Sequence, residues 1–213
     1  DGVLFALVGT SLIQLILLFP VLFINVRFSL FNKNLLYQMF KFGLPVLPAA
    51  IFLVAVELTD RWMLSWFDSV ESVGLYGAGY KLGSLILIIV KSFNLNWQPH
   101  YLKYKDNYKN GGFEFIGTSL ILLLIVLCTM LSLTYPYIIQ IKLNSFYVIG
   151  KDFWAGARVI PVIAFSYLFY GLFVLQMPSV YLKNKQTWLP IFWGSAFLIN
   201  IGGNILLIPL FSY

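Results

Sequence analysis

Residues 44–68 read LPVLPAAIFLVAVELTDRWMLSWFD, an apolar run that gathers Glu57, Asp60 and Arg61 within five positions before it ends at Asp68. The first part is apolar enough to enter a bilayer, where a charge at the helix centre costs about 2.5–3.5 kcal/mol or more if it faces lipid. Spaced i, i+3 and i+4, the three charges occupy one sector of about 100° of a helix. That side is therefore expected to look at protein or at a water-filled cavity while the remainder meets lipid. The alternative for the same spacing is an Arg61–Glu57 pair that staples the outer end of a bundle. Either way the stretch describes a multi-helix membrane protein. The composition agrees, with 60% of the 213 residues hydrophobic, 18% aromatic and 10% charged, against about 25% charged in soluble chains.

Working outward, uncharged apolar runs occupy 3–24, 115–141, 159–182 and 188–213, each meeting the roughly 20 residues a spanning helix needs. Two more cross only by carrying ionisable groups: 44–67, and 75–97 with Lys81 and Lys91. Six spanning helices are predicted, an all-α integral membrane fold. The chain starts at Asp1, enters a span at once with no basic leader, and stops just after LLIPLFSY, so it is expected to be a piece of a longer protein. The single cysteine, Cys128 in LLLIVLCTMLSL, excludes an internal disulfide and a cysteine metal cluster and is read as a packing residue.

Basic residues orient the spans. Arg27, Lys33 and Lys41 fall in the first loop, Lys103, Lys105 and Lys109 in the third, Lys183 and Lys185 in the fifth. The second loop holds Asp68 and Glu71, although the fourth has Lys142, Lys151 and Arg158. The positive-inside rule makes the odd loops cytoplasmic. The formal net charge of +6 is then mostly topology, and it calls for no nucleic-acid partner. The first loop, with Phe28, Phe31, Leu35, Leu36, Met39 and Phe40 among basic and amide residues, reads as an amphipathic helix on the cytoplasmic surface. Nine prolines are expected to kink or break spans, or to sit at their ends. Trp62, Trp66, Trp97, Trp154 and Trp188 are expected in the interfacial belts.

Gly77, Ser84, Lys91 and Gln98 recur every seven residues, a small or polar stripe that Lys81 adjoins. A membrane helix with two lysines on one side and no acid of its own calls for an anionic partner, either Glu57 or Asp60 or an anionic substrate. Lys91 and Lys81 are thus candidates to line a cavity, with snorkelling to an interface as the plainer reading.

The stretch FGLPVLPAAIFLVAVELTDRWMLSWFDSVESVGLYGAGYKLGSLILIIVKSFNLNWQPHYLKY resembles the polysaccharide and O-antigen flippases of the multidrug, oligosaccharidyl-lipid and polysaccharide exporter superfamily. The likeness lies in Gly43, Leu44 and Pro45 entering a helix, Asp60 and Arg61 near its outer end, the Gly74 and Tyr76 turn, and Trp97 and Pro99 closing the next helix. The ending NIGGNILLIPLFSY is similar to the family's Asn-rich helix followed by Ile-Pro. The resemblance implies a two-lobed helical bundle, of which 1–25 would be the last helix of the first lobe, 26–43 the cytoplasmic linker, and 44–213 part of the second lobe. It also implies translocation of a polyprenyl-diphosphate-linked oligosaccharide across the bacterial cytoplasmic membrane by alternating access. In that reading Arg61, Lys81, Lys91 and Arg158 neutralise the diphosphate, while Asp60 or Glu57 binds a coupling Na⁺ or H⁺ or holds Arg61. No other cofactor is implied. Membrane lipids and other polysaccharide-assembly proteins are the expected partners.

Two other classes stand beside it. A multidrug-type exporter of the same superfamily would favour acids over Lys81 and Lys91 in its cavity. A membrane-embedded polymerase or transferase would need a clustered nucleophile, base or metal site. The lone histidine, His100 in NWQPHYLKY, has no such company, and GAGYKLG lacks the spacing of a dinucleotide loop. The glycines of that stretch are read as allowing a turn and close helix packing.

Overall fold

The computed structural model describes residues 2–25, 31–104, 112–143, 146–147 and 149–212. Arg27, Phe28, Lys105 and Lys109 of the orientation argument lie outside the described residues. The chain divides into two compact units, Asp1–Gly43 and Leu44–Tyr213.

The first unit consists of α1 (Gly2–Asn25), whose apolar side chains are exposed almost throughout, and α2 (Lys33–Gly43). Asn32 starts α2, its Oδ1 accepting from the backbone N–H of Asn34 at 2.9 Å and of Leu35 at 3.2 Å, an ordinary side-chain cap. Leu35, Leu36, Met39 and Phe40 fall on one side of α2 and stay exposed, with Lys33, Asn34, Gln38 and Lys41 on the other. The helix is amphipathic, as the sequence implies.

The second unit opens with a 3-10 turn, Leu44–Val46, and continues through α3 (Leu47–Phe67), α4 (Val70–Gly83), α5 (Leu85–Lys103) and α6 (Phe113–Ile138). A two-residue hairpin of β1 (Lys142–Leu143) and β2 (Phe146–Tyr147) and a 3-10 segment, Lys151–Val159, lead into α7 (Ile160–Tyr181). A further 3-10 turn, Gln186–Trp188, then enters α8 (Leu189–Phe211). Among the described residues five helices are long and apolar enough to cross a membrane, six if α4 and α5 together make one span. Apart from the hairpin the architecture is all-α, and the protein is a multi-pass membrane protein.

The core lies between α5, α6 and α7, where Val90, Leu124, Cys128 and Ala164 are fully buried. Gly171 lets α7 come this close, since a Cβ there would sit 2.6 Å from Leu124 Cδ1. Cys128 is a packing residue, its thiol donating to the Ala164 carbonyl at 3.3 Å. α8 packs along α3, with Gly194 against the Phe52 ring and Phe197 5.7 Å from it. Ser212 donates to Asp68 at one end of that pair, while the turns at Leu44–Val46 and Gln186–Trp188 meet at the other.

Two expectations need correction. The span expected over 75–97 is broken: α4 and α5 meet at 47° on either side of Ser84. Packing causes the break. A Cβ on Gly83 would stand 2.7 Å from Ile163 Cβ, so the end of α4 is drawn tight against α7. Ser84 meanwhile takes ψ −2° and turns its hydroxyl onto the Lys81 carbonyl at 2.9 Å. No proline sits at that bend. Pro48, Pro161 and Pro190 instead open α3, α7 and α8, where the missing N–H costs nothing, and Pro99, Pro136, Pro178 and Pro209 fall near helix ends. Finally, Trp97 is no belt residue. It is 4% exposed and packs edge-on against Phe113 at 5.3 Å, whereas Trp62 and Trp66 are exposed as a belt requires.

Candidate functional site

Asp60 lies one turn beyond Glu57 on α3, on the side turned toward α4 and α8. Two asparagines of α8, spaced i, i+4, reach its Oδ1: Asn200 Nδ2 donates at 2.7 Å and Asn204 Nδ2 at 3.0 Å. The second amide also approaches Asn200 Oδ1 at 3.4 Å. From α4 the Tyr76 hydroxyl donates to Oδ2 at 3.3 Å. Three donors on one carboxylate are what an ionised side chain at membrane depth requires, since charge-assisted hydrogen bonds replace the lost water.

These groups border a cavity of about 310 Å³. Glu57, Asp60 and Asn200 line it from α3 and α8, Lys91 from α5, Tyr76 and Tyr80 from α4, Tyr167 and Tyr170 from α7. The hydroxyls of Tyr80 and Tyr167 are hydrogen-bonded to each other across it. The cavity therefore brings two acids, one lysine and four tyrosines together.

Arg61 and Lys81 are elsewhere. They line a second cavity of about 520 Å³ with Gly77 of α4 and with Ile149, Gly150 and Phe153 of the loop before α7. Among the described residues no ion pair joins Arg61 to Glu57. Its guanidinium lies over the Tyr80 ring instead, 5.2 Å from the centroid, a cation–π contact. Tyr80 thus touches the cation of one cavity with its ring and lines the other. Arg158 is exposed on the 3-10 segment and lines neither cavity.

The sevenfold stripe therefore does not hold as one line. It assumes a straight helix, and the break at Ser84 sends Gly77 and Lys81 to one cavity and Lys91 to the other. The loop segment is fastened to α4 through glycines. A Cβ on Gly79 would run into the Gly156 carbonyl and stand 2.7 Å from Val159 Cγ2, and one on Gly156 would run into Leu75. Close packing by the glycines of GAGYKLG holds for Gly79 and Gly83, while nothing lies within 4 Å of a Cβ on Gly77.

Asn200 and Asn204 were missed as partners of Asp60, although two amides at i, i+4 in an otherwise apolar helix mark a polar side. His100 sits in an aromatic cluster, stacked on Trp97 at 5.8 Å and near Tyr104 and Phe113. Among the described residues no three metal-ligating side chains converge.

Residues 2–100, just under half of the chain, match the model of a family described as polysaccharide biosynthesis protein. No curated protein and no solved structure matches the chain. The matched stretch contains Glu57, Asp60, Arg61, Lys81 and Lys91, and over it the chain is similar to that family.

Proposed function

We propose that this membrane protein takes part in moving a polyprenyl-diphosphate-linked oligosaccharide across the bacterial cytoplasmic membrane by alternating access, and that it is a transporter and not an enzyme. The observation that carries the reading is the mixed cavity at membrane depth, where Lys91 faces tyrosines and a carboxylate already held by its own donors. A diphosphate needs a cation in a low-dielectric site, and sugars need hydroxyl partners and aromatic faces. At about 310 Å³ the cavity is at the small end of ligand sites, of a size for a head group and not for a long glycan. Arg61 and Lys81 offer a second anion-binding surface toward the outer loop. Arg158 lines neither surface and is left out of the pathway. In this proposal the unit Leu44–Tyr213 belongs to the second lobe, with α1 as the last helix of the first lobe and α2 as part of the linker. Partners would be the lipid-linked cargo, membrane lipids and polysaccharide-assembly proteins.

Asp60 and Glu57 are the groups for a coupling ion. With three donors on it, Asp60 is satisfied as an anion. Coupling by H⁺ would release those donors, whereas coupling by Na⁺ would require Asn200 and Asn204 to turn their amide oxygens inward.

A multidrug-type exporter is the second reading, because the polar cavity holds two acids to one base once Lys81 is assigned elsewhere. Glycan export in cells depending on this transporter separates the two. Lys91→Gln should abolish export while Glu57→Gln leaves most of it. Export unaffected by Lys91→Gln, together with cationic-dye efflux lost in Glu57→Gln, would favour the exporter.

A further inference from the structure

Between α7 and α8 lies a cleft of about 710 Å³, larger than either polar cavity. Tyr170, Phe173 and Trp193 form one wall, their rings 5.4–6.3 Å apart. Tyr170 and Trp193 also line the Asp60 cavity, so these two rings stand between the two spaces. Phe192, 44% exposed, and Trp188, 51% exposed, extend the apolar surface toward the loop that joins the helices. That loop supplies Lys183 and Lys185, both exposed and both lining the cleft, and no acidic side chain lines it. The turn is well defined. Asn184 between the lysines takes φ 52°, and the Lys185 N–H donates to the Val180 carbonyl at 2.8 Å.

An apolar slot at membrane depth with two cations at its interfacial end matches an amphiphile that carries a phosphate above acyl chains. The basic-residue bias puts this loop on the cytoplasmic side, and basic pockets between membrane helices on that side recognise anionic lipid head groups. We propose that the α7–α8 cleft binds an anionic phospholipid of the inner leaflet, its phosphate on Lys183 and Lys185 and an acyl chain against Phe173, Phe192 and Trp193. A zwitterionic lipid would gain little from the lysines, and a free anion would leave the aromatic wall uncovered. The site is separate from the Asp60 cavity and does not rest on the transport reading.

The test is quenching of tryptophan fluorescence in the full chain, held in zwitterionic micelles and titrated with acyl-brominated phosphatidylglycerol or phosphatidylcholine. The anionic lipid should quench at a concentration lower by on the order of tenfold, given the attraction of two interfacial lysines. The K183Q/K185Q double variant should bring the two curves together with the circular dichroism unchanged. Ala196→Phe, which fills the cleft, should weaken quenching by both lipids. Equal quenching by the two lipids in the unmodified chain would overturn the proposal, as would a preference that survives K183Q/K185Q. Displacement of the phosphatidylglycerol by a lower concentration of polyprenyl diphosphate would also overturn it, assigning the cleft to cargo. Should Ala196→Phe misfold, the lysine pair alone decides.

Discussion

The carboxylate of Asp60 accepts from Asn200, Asn204 and Tyr76, and removing those donors is not equivalent to removing the acid. An uncompensated charge at membrane depth is costlier than an unpaired amide, about 3–5 against about 1–3 kcal/mol. Because Asp60 borders a cavity, the lower end of the first range applies. The N200L/N204L double variant should therefore lose about 3 kcal/mol of stability, and adding Asp60→Leu should restore part of it. Thermal denaturation in detergent, read as a mutant cycle, measures the coupling. A double variant as stable as the parent would mean that cavity water, not the amides, satisfies the acid. At this scale the sequence was only half legible. The i, i+3, i+4 spacing put Glu57, Asp60 and Arg61 on one side of α3, but periodicity within a helix says nothing of a partner 140 residues away. It also left Arg61 open to two readings, and the Tyr80 ring across the gap proved to be its contact.

α4 shows how packing overrides an apolar pattern. Length and hydropathy made 75–97 one span, yet Gly79 and Gly83 hold α4 against the 3-10 segment and α7, and the helix direction changes at Ser84. Neither glycine announces this in sequence, because Gly77, two residues earlier, looks the same and touches nothing. The three glycine positions give a sharp contrast. Gly77→Ala should be neutral or stabilise by up to about 1 kcal/mol through helix propensity. Gly79→Ala and Gly156→Ala each force backbone apart and should cost about 1–3 kcal/mol as overpacking. Proteolysis of the loop before α7, timed in detergent, should be unchanged in the first variant and accelerated in the other two. Equal protection in all three would mean that the loop segment is not fastened by these contacts. The same seam shapes the outer cavity, since Gly77 and Lys81 line it from α4 and Gly150 and Phe153 from the loop. Loosening it should disturb Arg61 and Lys81 while sparing Lys91, which α5 carries on the far side of the bend.

For the whole molecule, the spans were legible because a bilayer imposes a length and a composition that few other environments demand. Their order fixes the ends as well. The turns Leu44–Val46 and Gln186–Trp188 meet at one end of the second unit, and Asp68 meets Ser212 at the other. Charge bias alone proposes a sign, expecting the loop with Lys183 and Lys185 on the cytoplasmic side and the loop with Lys142, Lys151 and Arg158 on the outer side despite its basic residues. That conflict is tested by single cysteines at 81 and 183 in a Cys128→Ser background, where serine can keep the bond to the Ala164 carbonyl. A membrane-impermeant thiol reagent added to intact cells should label Lys81→Cys and not Lys183→Cys, and permeabilisation should expose the second. Lys91→Cys, which lines the narrower cavity of about 310 Å³ against about 520 Å³ for Lys81, should react several-fold more slowly than Lys81→Cys. The reverse pattern at 81 and 183 would invert the protein in the membrane, making the Arg61–Lys81 surface cytoplasmic and moving the α7–α8 cleft to the outer leaflet. Equal rates at 81 and 91 would instead join the two cavities, and the ring of Tyr80 would no longer stand between a cation outside and a carboxylate within.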